Sequence, residues 1–252
     1  MDIGAILLLI LSGLILAALL ILRGRKGARP RKGARPKIRP LPAFQDLWDE
    51  AGHAAESGGA VHIALGSGGL GGEDTATSLA SLQVVEALAD ATVCYNAPPI
   101  ITVGDPTLLP LAQDILRRAY ERNGLADLYD PANVRFVAPS PVAYAAGAAN
   151  VVATEHVTAN MIDGAFGAEA SLITDAGARR DLPLLAAAAD PRALGALYPA
   201  TDRLAVGEEL YAAGAAMTGE RRYLDSLVAQ DILRVILVLV ILGAAVLAFL
   251  GS

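Results

Sequence analysis

A glycine-rich loop holds the residues whose types and spacing best suit binding chemistry. Residues 66–75 read G-S-G-G-L-G-G-E-D-T, after an apolar run and before a helical pattern. Gly66, Gly68 and Gly71 match the G-x-G-x-x-G spacing of dinucleotide-binding loops, in which amides at a helix start bind phosphate. The loop therefore predicts either a nucleotide site or a turn that lets a strand and a helix pack closely.

Other features of the loop favour the turn. The glycine run fits the motif in several registers, and the helix is expected to start after Gly71. Glu73 and Asp74 come next and would repel a pyrophosphate. No acidic residue closes the second strand at the ~20-residue distance of a ribose contact, and the sequence has no G-K-[ST]. We therefore expect no cofactor, with a nucleotide as the alternative.

The remaining polar residues predict neither a metal site nor a catalytic residue. The three histidines, His53, His62 and His156, do not cluster, and the sequence has no H-x-x-x-H or C-x-x-C pair. His62 alternates with apolar residues, which is typical of a hydrogen-bonded core residue. Ser67 does not lie in a G-x-S-x-G nucleophile motif. The single cysteine, Cys94, is expected to be a buried and inert thiol.

Short β-rich runs that alternate with longer helical patterns position the loop. This alternation predicts an α/β fold, a Rossmann-like parallel sheet with helices on both faces, flanked by two transmembrane helices. Asp105 and Ser140 precede prolines and are expected to cap helices, and Leu79 and Leu111 are expected on buried helix faces. Strands are predicted at 61–65, 99–103, 133–138, 157–162 and 182–188, and helices at 43–55, 75–92, 106–123, 141–152, 168–180 and from 206 onward.

The loops after these strands should meet at one edge of the sheet. Parallel sheets bind ligands at the carboxyl ends of their strands, so this edge is the expected binding site. A loop at Asp163–Gly167 and the turn at Asp190 belong to it. The candidate ligand-binding residues are Gly66, Ser67, Gly68, Gly69, Gly71, Glu73, Asp74, Thr75, Asp105, Thr107, Ser140, Asp163 and Phe166.

Two apolar runs predict where the protein is anchored. Residues 3–22 and 235–251 carry no charge and are long enough to cross a bilayer as helices. The predicted organisation is a transmembrane helix at 1–22, a basic Pro/Gly tether at 23–40, an α/β domain at 41–231 and a second transmembrane helix at 232–252. Basic residues near a span favour the cytoplasmic side, so we expect a cell-membrane protein with its domain in the cytoplasm and both termini outside.

The charge of the chain is unevenly distributed. The tether holds nine of the 20 basic residues, which leaves eleven against 26 acidic residues elsewhere and a net charge of −15. This acidic remainder argues against nucleic-acid binding. The tether is expected to contact anionic lipid, or only to set the topology. Its candidate lipid-contact residues are Arg23, Arg25, Lys26, Arg29, Arg31, Lys32, Arg35, Lys37 and Arg39.

Three segments give the chain a resemblance to a known family. They are Gly66–Thr75, Val103–Asp114 (V-G-D-P-T-L-L-P-L-A-Q-D) and Asp163–Glu169 (D-G-A-F-G-A-E). With them the chain resembles a group of uncharacterised bacterial membrane proteins that carry a domain of unknown function. The resemblance implies no activity, cofactor or catalytic residue, and it marks Gly66–Thr75 as a defining loop.

The expected function is that of a non-catalytic, membrane-anchored binding or scaffolding module. It would recruit a protein partner, or sense a small ligand at the carboxyl edge of the sheet. One alternative is an enzyme or sensor that binds a nucleotide in the glycine loop. Another is a subunit of a larger membrane complex, or a homo-oligomer, because small-residue pairs in the apolar runs (Gly13 with Ala17, Ala244 with Ala248) permit close helix approach.

Overall fold

The computed structural model describes residues 44, 46–218, 236–238 and 241. The α/β part lies within a compact unit that spans Arg39–Thr218. The predicted segments 1–22 and 23–40 lie outside the described residues, as does most of 232–252. Within the described residues, no helix combines the length and apolar character that crossing a membrane requires.

The described part of the chain contains a six-stranded parallel sheet. Its strands are paired in the order β3-β2-β1-β4-β5-β6, the order of dinucleotide-binding Rossmann folds. The Rossmann-like α/β fold is therefore confirmed. The strands are β1 (Ala60–Gly66), β2 (Ile100–Val103), β3 (Val134–Phe136), β4 (Val157–Ala165), β5 (Leu184–Ala188) and β6 (Leu204–Val206).

Helices cover both faces of this sheet. Val61, Ile63 and Leu65 of β1 belong to one buried cluster, while Ala64 belongs to a second cluster on the opposite face. Successive side chains of a strand point to opposite faces, so a central strand buried on both sides is apolar almost throughout. The helices are α1 (Leu47–Ser57), α2 (Thr75–Val93), α3 (Leu109–Arg122), α4 (Pro141–Thr154), α5 (Ala170–Ala178), α6 (Pro191–Leu197) and α7 (Glu208–Thr218).

The two clusters assign each helix to a face. Residues of α1, α2, α3 and α7 pack on the face that Ile63 occupies, and residues of α4, α5 and α6 pack on the face that Ala64 occupies. The connections run from the carboxyl end of each strand into the next helix. The first turns of α2 to α7 therefore lie at the carboxyl edge of the sheet.

Several local predictions are wrong. The third helix begins at Leu109 rather than Pro106, because Asp105 holds the N–H of Thr107 in a turn. Leu79 and Leu111 are exposed instead of facing the core, and Cys94, just after α2, is exposed rather than buried. Ser140 stands at the N-cap position with proline at the first helical position, as expected, but its side chain makes no capping hydrogen bond.

The sixth strand was also missed by the sequence pattern. Leu204–Val206 pairs with β5 through three residues, whereas the sequence predicted no strand here and a helical region from 206 onward. Three residues are too few to display the two-residue alternation of a strand. The helix α7 begins only after Gly207, which has a positive φ of 61°.

Candidate functional site

A crevice of about 550 Å³ lies at the carboxyl edge of the sheet, where β1 and β4 are neighbours. The strand order reverses at this point, and open α/β sheets bind ligands there because the outgoing connections diverge to opposite faces. We call it the switch-point crevice. It is lined by Ser67, Asp74, Thr77, Pro141, Ala165, Phe166, Gly167, Glu169, Ala189, Asp190, Pro191 and Arg192.

Four segments bring these residues together. Ser67 follows β1, and Asp74 and Thr77 come from the start of α2. Ala165 to Glu169 connect β4 to α5, and Ala189 to Arg192 connect β5 to α6. The walls combine apolar surface from Phe166 and the prolines with the hydroxyls of Ser67 and Thr77.

The charged side chains of the crevice are mostly acidic. Asp74, Glu169 and Asp190 line it, with Arg192 as the one basic residue among its described lining residues. Arg192 is already paired, since its Nη2 lies 2.5 Å from Oδ2 of Asp190 and its Nε lies 2.9 Å from the same oxygen. The crevice therefore offers two further carboxylates without a matching cation.

The Asp190–Arg192 pair also begins a helix. The N–H of Arg192 donates to Asp190 Oδ1 at 2.8 Å, which caps α6. The hydrogen bond with Arg192 lowers the pKa of the Asp190 carboxyl. Asp190 raises the pKa of Arg192, and Glu169 and Asp74 add to that rise from across the crevice.

The first amides of the glycine loop are bonded within the protein. The N–H of Gly66 donates to the hydroxyl of Tyr144 at 3.2 Å, and that of Ser67 donates to the carbonyl of Ala165 at 3.2 Å. A phosphate cradle needs such amides free and converging on one point. These two instead tie the loop to α4 and to the end of β4.

Amides at the tip of the loop are used in the same way. The N–H of Leu70 donates to the Thr107 hydroxyl at 3.0 Å. Those of Gly71 and Gly72 donate to the Thr75 hydroxyl at 2.9 and 3.1 Å. Five amides between residues 66 and 72 are thus already satisfied by the protein itself.

Close packing requires glycine at residues 68 and 69 of the loop. A β-carbon on Gly68 would come within 2.6 Å of Cβ of Ala165 and 2.8 Å of Cβ of Asp74. A β-carbon on Gly69 would overlap the carboxylate of Asp105. This geometry fits the prediction of a turn that lets the strand and the helix pack closely. It also places the carboxylate of Asp105 beside the loop.

Asp163 does not lie in a loop, so the prediction of a ligand-binding loop at Asp163–Gly167 is wrong in its first residues. Asp163 is in β4, is fully buried and does not line the crevice. Neither of its carboxyl oxygens has a hydrogen-bond partner among the described residues. Burial raises the pKa of Asp163 to about 7, and the effect of the Ser81 hydroxyl, which lowers the pKa, is smaller.

His62 lies in a buried chain of hydrogen bonds, on the face of the sheet that Ala64 occupies. Its Nδ1 lies 2.8 Å from Oδ1 of Asn160 and its Nε2 lies 3.0 Å from the hydroxyl of Thr102. A carbonyl oxygen only accepts, so Nδ1 donates and Nε2 accepts from Thr102. Burial lowers the pKa of His62 to about 4, and the histidine is a satisfied core residue as expected.

Tyr144 connects this chain to the glycine loop. Its hydroxyl lies 3.1 Å from Oγ1 of Thr102, donates to the Thr102 carbonyl at 3.1 Å and accepts from the N–H of Gly66. Burial raises the pKa of this phenol. The network fixes where the loop leaves β1.

The candidate ligand-binding residues predicted from the sequence fall into separate groups in the structure. Ser67, Asp74 and Phe166 line the switch-point crevice. Gly69, Asp105 and Thr107 lie together on the β2 side of the loop. Gly66, Gly68, Gly71 and Thr75 serve the loop's own turn, and Glu73 and Ser140 are exposed at the edge.

Thr77, Glu169 and Arg192 line the crevice but were not among the candidates. Only the neighbouring strands bring these residues together, so spacing along the chain did not reveal them. Within the described residues, no three His, Cys, Asp or Glu side chains are grouped as metal ligands would be.

Comparison with known proteins identifies a family. No curated protein and no solved structure matches the chain. A family model described as a domain of unknown function, DUF6754, matches residues 3–252, which include both apolar runs as well as the α/β part. The chain therefore belongs to the DUF6754 family.

Proposed function

We propose that the protein is a membrane-anchored, non-catalytic binding module whose switch-point crevice receives a positively charged group. The observation that carries this proposal is the charge of the crevice. Asp74 and Glu169 line it while its one described cation, Arg192, is neutralised by Asp190. An ammonium or guanidinium group is the ligand chemistry that such a site favours.

The volume of the crevice suits a ligand the size of an amino-acid side chain or a small molecule. About 550 Å³ falls within the usual range for ligand pockets. Phe166 and the two prolines would contact the apolar part of a ligand, and Ser67 and Thr77 offer hydroxyls. The carboxylates of Asp74 and Glu169 would position the cationic end.

The nucleotide alternative has less support. Five loop amides, those of residues 66, 67, 70, 71 and 72, already donate to Tyr144, Ala165, Thr107 and Thr75. A phosphate would also meet the carboxylates of Asp74 and Asp105 beside the loop. Like charges at short range in a partly dry site are strongly unfavourable.

Membrane anchoring is proposed from the sequence. The uncharged runs at 3–22 and 235–251 have spanning length, and the nine basic residues at 23–39 suit contact with anionic lipid. In this arrangement the module is held at the cytoplasmic surface of a cell membrane. A role as a subunit of a membrane complex is compatible with it.

Thermal unfolding of the full chain in detergent tests the ligand class. N-acetyl-L-arginine amide should raise the unfolding temperature, while its uncharged analogue N-acetyl-L-citrulline amide should not, because a ligand stabilises the state to which it binds. The double variant Asp74→Asn/Glu169→Gln should lose the shift. A shift with NAD or ATP that exceeds the arginine effect would overturn the proposal.

A further inference from the structure

We infer that the carboxyl edge of the sheet docks a protein partner, which inserts a lysine or arginine side chain into the switch-point crevice. This inference rests on the proposed function and names its ligand as part of a protein. Exposed apolar side chains and the acidic crevice lie at the same edge of the sheet.

Three large, exposed apolar side chains lie in the first turns of helices that start at the carboxyl edge of the sheet. Val142 follows the lining residue Pro141 and is 62% exposed. Leu172 is also exposed, and its N–H donates to the carbonyl of the lining residue Glu169 at 3.0 Å. We call these two residues, together with Tyr211, the apolar rim.

Tyr211 reaches the crevice from the other face of the sheet. It is exposed, and its hydroxyl lies 3.0 Å from that of the lining residue Thr77. The apolar rim thus takes one residue from each of α4, α5 and α7, each in the first turn of its helix. First turns lie at the carboxyl edge, so the rim and the crevice share that edge.

This combination is typical of a protein interface rather than of a site for a free metabolite. Exposed apolar residues with a polar site among them mark interaction surfaces, and interfaces are enriched in arginine and aromatic contacts. A buried charge pair inside an apolar surround gives specificity for one partner geometry. Charge complementarity selects the occupant, because the described lining residues include three carboxylates and a single cation, Arg192.

Photo-crosslinking in native membranes tests the inference on the full chain. A photoreactive phenylalanine analogue replaces Val142, Leu172 or, as a control, Tyr95. Tyr95 is also exposed, to a degree between those of Val142 and Leu172, but lies between α2 and β2 at the amino edge. We expect crosslinks from positions 142 and 172, mapped by mass spectrometry to a partner segment with a lysine or arginine beside the crosslinked residue.

A charge-neutral variant supplies the second arm. Asp74→Asn/Glu169→Gln should reduce the crosslink yield at position 142 about tenfold, the effect of losing roughly 1.4 kcal/mol. Asp175→Asn is the matched control, because that carboxylate lies on α5, outside the crevice, in an exposed pair with Arg179. It should leave the yield unchanged.

The inference is overturned if positions 142 and 172 give no more protein crosslinks than position 95. Mapped segments without a basic residue, or crosslinks to another copy of this chain, overturn it as well. Either result, with a preserved thermal shift by N-acetyl-L-arginine amide, leaves the proposed function standing. If N-acetyl-L-arginine amide does not raise the unfolding temperature of the unmodified chain, both the inference and the proposed function are overturned.

Discussion

The carboxylate of Asp105 lies directly against Gly69, in the space that a β-carbon at residue 69 would take. The same carboxylate accepts hydrogen bonds from the N–H and the hydroxyl of Thr107. Thr107 in turn accepts from the N–H of Leu70. The β2 side of the loop is therefore closed by the protein's own side chains, where a nucleotide-binding loop would admit a pyrophosphate.

The glycines of the loop should differ in their tolerance of alanine. Gly68→Ala places a methyl against Cβ of Ala165, which the backbone of β4 holds in place, and should cost about 1–3 kcal/mol of unfolding free energy. Gly69→Ala should cost less, because the Asp105 side chain can rotate. Chemical denaturation measures both.

Gly72→Ala is the control for this pair. Nothing lies within 4 Å of a β-carbon at that position, so the free energy of unfolding should stay within about 0.5 kcal/mol of the unmodified chain. Equal effects at residues 68 and 72 would contradict the close-packed account of the loop.

Asp163 should make the protein less stable as the pH rises. Its pKa is raised from 3.8 to about 7 in the folded chain. The stabilising contribution of its protonated form is complete below about pH 4 and is lost as the pH rises through about 7. The difference between the two pKa values corresponds to roughly 4 kcal/mol.

Asp163→Asn tests this directly, because the amide cannot ionise. The variant should be more stable than the unmodified chain at pH 8 and should lose the decline between about pH 4 and 7, as denaturation at a series of pH values would show. Asp175→Asn, an exposed site, should keep the decline. A decline that survives Asp163→Asn would mean that another group causes it.

His62 should affect the stability of the protein at acidic pH. Its pKa is lowered from 6.5 to about 4, so its contribution to stability is present above about pH 6.5 and is lost as the pH falls through about 4. His62→Gln should flatten the acid side of the stability profile. It should also cost about 1–3 kcal/mol at pH 7, because Asn160 and Thr102 lose a buried partner.

His53→Gln serves as the comparison for His62, since His53 is exposed on α1. That variant should match the unmodified chain at both ends of the pH range. The imidazole signals of His62 should remain those of the neutral ring down to about pH 5 in an NMR titration. A protonated ring at pH 6 would refute the buried hydrogen-bonded chain.

Tyr144 should hold the start of the glycine loop. Tyr144→Phe leaves the N–H of Gly66 without its acceptor and should cost about 1–3 kcal/mol. Faster hydrogen exchange at the Gly66 amide is the specific sign of this loss. Tyr198→Phe, at an exposed tyrosine, should change neither quantity.

The sequence predicts the sheet well where a pattern is long. The five predicted strands are confirmed because their apolar runs, such as residues 61–65, are continuous and are bounded by turn residues. Residues 204–206 are too short to form such a pattern. Asp163 and Gly164 resemble the start of a loop in sequence, yet β4 continues through them into the core.

The site is less visible in the sequence than the fold. Ser67, Asp74 and Phe166 could be placed at the carboxyl edge because each follows or precedes a recognisable strand or helix. Glu169 and Arg192 face the same crevice only because β4 lies between β1 and β5. That adjacency is a property of the tertiary structure, and spacing along the chain does not report it.

Isothermal titration of the full chain with N-acetyl-L-arginine amide tests the charge selectivity of the crevice most directly. We predict one bound equivalent, no heat of binding with N-acetyl-L-citrulline amide, and an affinity at least about tenfold lower for Asp74→Asn/Glu169→Gln, as expected when charge-assisted contacts are removed. Equal binding of the charged and uncharged probes, or an unchanged affinity in the double variant, would contradict the account.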